Sequence, residues 1–193
     1  MRIISLDQSM RATAAVEMVV VEDGVLRIEN QSICSPKSTG IFRLNAQRIW
    51  MQSIGIKQDV LLARELHNMR QFGNAGEIHH IAALIDLCAY DYGLVDGKYA
   101  KVSPSTWKKF ITGKGSLKKD TAYMMHLNKA LKKHPMIQFD EDVADDNIAD
   151  AISIGVTAYA ALMMKDGKDL PVSSESTKAL TNALEKMFQC GKR

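Results

Sequence analysis

The chain has 193 residues, 46% of them hydrophobic and 24% charged, which fits one globular domain with a buried core. The formal net charge is only +3, so the overall charge indicates no particular partner. The longest apolar run, residues 151–164, is shorter than the ~20 residues of a membrane span, and the three cysteines have no zinc-site spacing, so both of those classes are excluded.

The N-terminal half alternates between apolar runs typical of strands and segments with helical spacing. Residues 2–7, RIISLD, form a short apolar run that ends in a carboxylate, as a central strand does. Residues 11–30 are rich in valine and contain an Asp-Gly pair, which predicts two strands joined by a turn at residues 22–24. Residues 31–38 are predicted to form a loop. The next predicted elements are a helix over 39–55, a strand over 59–66 and a helix over 76–93.

The C-terminal half is predicted to be mostly helical. A fifth strand over 98–104 leads into a short helix over 104–111, with Pro104 at its start and Ser103 as a capping residue. A glycine-lysine loop follows over 112–119. The remaining predicted helices cover about 120–133, then 142 or 145 to 165, and an additional C-terminal helix over 173–190. These elements predict a single α/β domain over residues 1–193, with helices flanking a mixed five-stranded sheet.

Charge is concentrated in two neighbouring blocks of the sequence. The segment from Lys101 to Lys133 contains nine lysines and a single acid, Asp120. The segment from Asp140 to Asp150 contains six acids and no base. A basic block beside an acidic block suits a protein that binds a polyanion and also holds a cation. Two solvated surfaces are equally consistent with the charge pattern alone.

Two acidic residues follow predicted strands. Asp7 ends the first strand and Glu65 ends the fourth, and ligands of open α/β sheets bind beyond the carboxyl ends of the strands. Ionised side chains are rarely buried without a partner, so both carboxylates are well placed for a metal at the sheet edge. Two alternatives stay open. Asp7 would cap the next turn, and Arg64, Glu65 and His67 would be the first exposed residues past the strand.

Two further acids lie in the segment DDNIADAISIG, residues 145–155, which then turns apolar. Asp146 and Asp150 are four apart and share one helix face, where like charges lower stability. A cation between them would explain that arrangement, whereas the helix dipole explains Asp145 and Asp146 but not Asp150. Together with the two strand-end acids they form an all-oxygen set that suits two Mg²⁺ or Mn²⁺ ions ~4 Å apart. Periodicity alone does not show that the four acids converge.

Four segments in order resemble the motifs of one family. They are ISLDQSMRATAAVEMV, ARELHNMRQFGNAGEIHHIAALIDLCA, VSPSTWKKFITGKGSLKKD and DDNIADAISIG, and they span roughly residues 2 to 160. Each motif is weak alone, but the four in this order resemble the RuvC-like Holliday junction resolvases of the ribonuclease H-like superfamily, particularly the bacteriophage forms.

The resemblance implies a ribonuclease H-like fold and a metal-dependent endonuclease that works as a homodimer on branched DNA. Asp7, Glu65, Asp146 and Asp150 match the four acidic positions of the family, which imply two bound Mg²⁺ ions, with Mn²⁺ as an alternative. Lys119 matches a family lysine that is expected near the scissile phosphate. In some members a ligand lies three residues before the final acid, where this chain has Asn147. Whether Asp146 or Asn147 faces the metal therefore stays open.

The basic segment supplies candidate DNA contacts. Gly113 and Gly115 allow the backbone to approach a phosphate closely, and Trp107 is either a core residue or a base-stacking residue. Arg70 and Phe72, in the loop after Glu65, are candidates for probing an opened junction. The lysines expected to contact phosphates are Lys108, Lys109, Lys114 and Lys118.

Two other functions remain open, and the cellular location follows from what the sequence lacks. The same fold would serve as a branched-DNA-binding module without cleavage, or as a ribonuclease-H-type hydrolase of RNA–DNA hybrids. The N-terminus has no signal-peptide pattern and the separated cysteines favour a reducing compartment. We therefore expect a cytoplasmic protein, in the host cytoplasm if it is phage-encoded, with no membrane partner.

Overall fold

A six-stranded mixed sheet forms the centre of the protein, with the strand order β5-β4-β1-β2-β3-β6. The computed structural model describes residues 1–9, 12–66, 75–94 and 97–188. Strand β1 pairs antiparallel with β2 and parallel with β4, and β2 pairs antiparallel with β3. The outer strands β5 and β6 pair parallel with β4 and β3. The strands are β1 (Arg2–Gln8), β2 (Thr13–Val20), β3 (Leu26–Cys34), β4 (Val60–Glu65), β5 (Tyr99–Val102) and β6 (Ile137–Gln138).

Helices cover both faces of this sheet. Because side chains alternate along a strand, Ile3 packs into the core on the α5 side, and Ile4 and Leu6 pack into a second core on the α2 side. The start of α3 follows the predicted cap, since the Ser103 hydroxyl accepts from the Thr106 backbone N–H at 3.3 Å. The helices are α1 (Gly40–Ser53), α2 (Ala75–Asp91), α3 (Pro104–Thr112), α4 (Tyr123–Lys132), α5 (Asp146–Lys165), α6 (Ser174–Thr181) and α7 (Leu184–Met187).

The sequence predictions differ from the structure in three elements. The sheet has six strands instead of five, because a two-residue strand too short for any periodicity, β6, pairs with Leu26 and Arg27. The predicted loop over 31–38 is wrong in its first half, since β3 continues to Cys34, which pairs with Thr13. The helix predicted over 173–190 is replaced by α6 and α7 within the described residues, with the weak helix former Asn182 between them.

Helix α5 packs closely against the middle of the sheet. Every residue from 148 to 161 is buried, and Gly155 lies where the helix crosses Ser5 and Met18. A Cβ atom on Gly155 would lie 2.1 Å from Met18 Cε and 2.8 Å from Ser5 Oγ. Within the part of the chain that the structure describes, α5 is also the one helix with the length and hydropathy of a membrane span, but 78% of that window is buried inside the protein.

We expect Gly155→Ala to lower the free energy of unfolding by about 1–3 kcal/mol, because the added methyl group overpacks the contact with Met18. Urea unfolding of the variant and the parent measures the difference. The control is a double-mutant cycle with Met18→Leu, which removes the clashing methyl group. Strictly additive effects of the two substitutions would contradict this account of the contact.

Candidate active site

The strand-end acids lie next to each other at the carboxyl edge of the sheet. Strands β1 and β4 are parallel neighbours in which Leu6 pairs with Arg64, so the residues that follow, Asp7 and Glu65, end at the same edge. Both are on the α5 side of the sheet, and the Asp7 residue is only 5% exposed. Parallel pairing thus brings together two carboxylates that are far apart in sequence.

The first turns of α5 add two more carboxylates to this edge. Asp146 and Asp150 point the same way, since the Nζ atom of Lys119 lies 2.9 Å from Asp146 Oδ2 and 2.8 Å from Asp150 Oδ2. Asp150 also accepts a hydrogen bond from the Tyr123 hydroxyl. Lys119, on the loop between α3 and α4, therefore reaches the acids with its ammonium group bound between two of them.

Neighbouring side chains and backbone hold Glu65 in place. The indole Nε1 of Trp107 donates to Glu65 Oε1 at 3.0 Å, and Trp107 itself is fully buried. The backbone carbonyl of Glu65 accepts from Gln8 Nε2 at 2.7 Å and from Arg64 Nη1 at 2.8 Å. These contacts fix both the strand end and the orientation of the carboxylate.

Burial and mutual repulsion shift the protonation of these groups. Burial raises the pKa of Asp7 well above its usual value, and the charges of Glu65 and Asp150 raise it further. Burial likewise raises the pKa of Glu65 and of Asp150, against the Trp107 hydrogen bond in the first case and Lys119 in the second. Burial would lower the pKa of Lys119, but Asp150 and Asp146 outweigh it and raise that pKa, so the lysine is an ammonium ion.

The donor chemistry of this cluster fits a hard divalent cation. All four side chains offer carboxylate oxygens, and three have a raised pKa that a bound cation would lower. Across the described residues, no three His, Cys, Asp or Glu side chains are yet arranged around a single ion position. The carboxylates of α5 are turned towards Lys119 instead.

Asp146 and Asn147, the two candidates for the position that faces the metal, differ in their side-chain contacts. Asp145 is the N-cap of α5, with its carboxylate accepting from the backbone N–H groups of Asn147 at 2.9 Å and Ile148 at 3.2 Å. The Asn147 amide also donates to Asp145, at 3.2 Å. Asn147 thus faces the cap, while Asp146 shares Lys119 with Asp150.

The candidate DNA-binding residues have different environments. Lys109, Lys114 and Lys118 are exposed on α3 and the following loop. Lys108 is partly buried, with its Nζ donating to the Leu117 carbonyl at 3.2 Å and lying 5.3 Å from the centre of the Trp107 ring. Its charge therefore also stabilises the loop. The predicted junction-probing residues Arg70 and Phe72 lie outside the described residues.

The comparisons with known proteins give a match at the level of the fold. No protein-family model and no curated protein matches the sequence. Among solved structures, Thermus thermophilus RuvC matches with a TM-score of 0.64 and 15% identity, over 89% of this chain and 100% of RuvC. T. thermophilus RuvC in complex with Holliday junction substrate matches with a TM-score of 0.60 and 16% identity, over 85% of this chain and 96% of that one. The chain has the RuvC fold.

The α/β, ribonuclease H-like fold predicted from the four sequence motifs is therefore confirmed, with six strands in place of five. Within this RuvC fold, Asp7, Glu65, Asp146 and Asp150 gather at one edge together with Lys119. Their assignment as catalytic and metal-binding residues stays a prediction that rests on this convergence.

Three residues that contact the acids of this site were not predicted from the sequence to do so. Tyr123 contacts Asp150, Trp107 contacts Glu65 Oε1, and Gln8 contacts the Glu65 carbonyl. Of the two alternatives for Trp107, the structure supports the core residue over the base-stacking residue, and its indole N–H also binds a carboxylate of the site. The sequence indicates Tyr123 only by its position close to Lys119. Its contact with Asp150 spans 27 residues, so no local sequence pattern predicts it.

A separate charged cluster lies near the same strand end. Arg64 is buried, 5% exposed, so the alternative in which the exposed residues begin at Arg64 is wrong for this residue. Its Nε donates to Asp86 Oδ1 at 2.8 Å, and Lys101 Nζ donates to Asp86 Oδ2 at 2.8 Å. Burial would raise the pKa of Asp86, but Arg64 and Lys101 outweigh it and lower that pKa. Asp86 is therefore a partly buried charge that stabilises the fold, in contrast to Asp7.

Substitutions of Asp7 and Asp86 should have opposite effects on the stability of the metal-free protein. Because Asp7 has a raised pKa, the folded state binds more protons than the unfolded state, and the Asp7 charge destabilises the fold at pH 7. In EDTA, we expect Asp7→Asn to raise the free energy of unfolding by about 1 kcal/mol. We expect Asp86→Asn to lower it by about 0.5 kcal/mol, because the Asp86 side chain is 36% exposed and solvent screens its ion pairs. Urea unfolding at pH 7 measures both.

Their dependence on pH also differs in sign. The gain from Asp7→Asn shrinks as the pH falls towards the raised pKa of Asp7, because the carboxyl group then becomes neutral. The loss from Asp86→Asn persists in mild acid and disappears only as the pH falls through the lowered pKa of Asp86. Destabilisation by Asp7→Asn at pH 7 would contradict the burial of a repelled carboxylate.

Proposed function

We propose that the protein is a metal-dependent endonuclease that resolves Holliday or other branched DNA junctions by phosphodiester hydrolysis. The observation that carries the proposal is the convergence of four carboxylates and Lys119 at the carboxyl edge of a RuvC-fold sheet. The likeness to T. thermophilus RuvC in complex with Holliday junction substrate supports the choice of substrate. The exposed lysines beside the acids are suited to contact the phosphates of such a substrate.

The proposed cofactor is Mg²⁺, or Mn²⁺, bound as two ions by Asp7, Glu65, Asp146 and Asp150. Bound there, the ions would activate a water molecule and stabilise the charge of the leaving oxygen. Asp7 is the residue suited to bind both ions, because it lies close enough to both Glu65 and Asp150 for their charges to add to the rise in its pKa that burial causes. The raised pKa values of Asp7, Glu65 and Asp150 are a reason for cation binding that does not depend on sequence resemblance.

The other side chains of the site position these groups and balance charge. Trp107 orients Glu65 through its indole N–H, and Tyr123 orients Asp150 through its hydroxyl. Lys119 keeps its proton, so its ammonium group is available to neutralise charge on the reacting phosphate once the carboxylates bind cations. In the structure, the same ammonium group forms ion pairs with Asp146 and Asp150 and balances their negative charge.

We expect the protein to cleave a synthetic four-way junction in Mg²⁺, and Asp7→Asn to reduce the cleavage rate by at least about 100-fold, because a ligand shared by both ions is lost. Junction binding should be largely retained. The control is Asp140→Asn, which removes an exposed acid of the 140–146 segment that makes no contact with Lys119. Full cleavage by Asp7→Asn in Mg²⁺ would contradict the assignment of the site.

The same assay separates the other functions considered for this fold. Junction binding without cleavage in either Mg²⁺ or Mn²⁺ would indicate a binding module. Preferential cleavage of an RNA–DNA hybrid, in direct competition with the junction, would indicate a ribonuclease-H-type enzyme. Calorimetric titration of Mg²⁺ into the protein and into Asp7→Asn tests ion binding without relying on activity.

We also propose that the protein is a homodimer, with the outer surface of α1 and α2 as its interface. Five of the eight exposed large hydrophobic side chains in the described part of the chain lie on these two helices. The helices pack against each other on the face of the sheet opposite α5, which leaves the acidic edge free for DNA. The five residues are Ile41, Phe42, Ile49, Leu87 and Tyr90.

We expect Phe42→Asp to shift the protein towards the monomer, because the substitution places a charge in the centre of an apolar contact. Sedimentation velocity at several protein concentrations measures the shift. Met125→Asp is the matched control, since Met125 is similarly exposed on α4 but lies outside this surface. Equal effects of the two substitutions, or a parent that is monomeric throughout, would refute the interface.

A further inference from the structure

A second cluster of positive charge lies outside the acidic site, in a groove between the glycine-lysine loop and α4. The groove has a volume of about 510 Å³. Four lysines and a histidine line it, against a single carboxylate, that of Asp120. The basic residues are Lys114 and Lys118 from the loop, and His126, Lys129 and Lys133 from α4 and its C-terminal end.

The lysines of this groove form no ion pair with any described residue. None of the four lysines of the groove forms an ion pair with a described carboxylate, whereas Lys132, on the same helix, pairs with Asp142 at 3.0 Å. The Asp120 carboxylate instead accepts from the Ala122 backbone N–H at 3.0 Å. Lys129 and Lys133 are four residues apart, a spacing at which like charges repel and lower stability. An anion bound in the groove would offset that repulsion.

The groove and the acidic site share one wall. Lys118 and Lys119 are consecutive, yet Lys118 lines the groove while Lys119 binds Asp146 and Asp150. The segment from Leu117 to Asp120 therefore separates the two. A phosphodiester chain that leaves the acidic site across this segment meets the lysines of α4 next.

We propose that this groove binds the phosphodiester backbone of the DNA strand beside the phosphate that is cleaved, with Lys129 and Lys133 as its contacts on α4. The inference rests on the proposed function and extends the predicted phosphate contacts from the lysines of the loop to Lys129 and Lys133, at the end of the same basic segment. The lining contains no Trp, Tyr or Phe side chain, so the groove offers no surface for base stacking. Its contribution to binding is therefore independent of base sequence.

The test is the salt dependence of junction binding by the full chain carrying Asp7→Asn, which prevents cleavage. We compare it with the same chain carrying Lys129→Gln and Lys133→Gln, from low to moderate NaCl in Mg²⁺. Loss of two phosphate contacts should reduce the slope of log Kd against log salt by about 2 and weaken binding about tenfold or more at low salt. The reduction should be the same for junctions of unrelated sequence.

The matched control pair is Lys57→Gln with Lys168→Gln, which changes the net charge equally at the opposite edge of the sheet. Lys57 precedes β4, and Lys168 follows α5, a helix of about 30 Å whose other end bears Asp146. Both lysines are exposed, so the substitutions should leave the fold and the salt slope unchanged. Thermal unfolding of every variant verifies the fold.

The outcomes are distinguishable from those of the cleavage assay. Equal slopes for the two lysine pairs, or a parent that does not bind DNA, would overturn the groove as a phosphate site. Displacement of the junction by inorganic phosphate at constant ionic strength, lost with the α4 pair, would show a small-anion site and also overturn it. Absence of cleavage by the unsubstituted chain, with the reduced slope of the α4 pair intact, would refute the nuclease activity alone.

Discussion

The burial of like charges at one edge of the sheet is the constraint on which the site depends. Asp7 and Asp150 are buried and Glu65 is half-buried, and the three carboxylates repel one another. A fold tolerates this arrangement only with compensating charge or hydrogen bonds. The compensation comes from Lys119 and from the Trp107 and Tyr123 donors, each belonging to the segment from α3 to α4. The segment from α3 to α4 therefore forms one wall of the acidic site and also contains the lysines of the basic segment.

Helix α5 connects the stability of the protein to its chemistry. Its buried run fills the core on one face of the sheet, and its first turns supply Asp146 and Asp150. Because the helix approaches the sheet closely at Gly155 and is capped at Asp145, its axial position is set at two points. The acids are thus positioned by a rigid element instead of a loop, which suits the tight tolerances of a catalytic constellation.

The sequence predicted best what depends on local periodicity. The strand-end positions of Asp7 and Glu65 and the shared face of Asp146 and Asp150 follow from the repeats of strands and helices. The sequence predictions failed where strand pairing is non-local. Strand β6 forms only because its two residues pair with the start of β3. The second half of β3 contains the polar residues Gln31 and Ser32, which do not look like a strand in sequence, and it is held in the sheet by pairing with β2. Likewise, the hydrogen bond from Trp107 to Glu65 spans 42 residues, so no local sequence pattern predicts it.

The short pairing of β6 with β3 leaves an open strand edge. Beyond Arg27, β3 pairs only with β2 in the described part of the chain, and an unpaired edge is a template for joining further strands. A cleft of about 830 Å³ runs beside this edge and carries the acids Asp140 and Glu141. Two copies that approach edge to edge would bring these acids together, so their like charges oppose the pairing of a second copy with this edge.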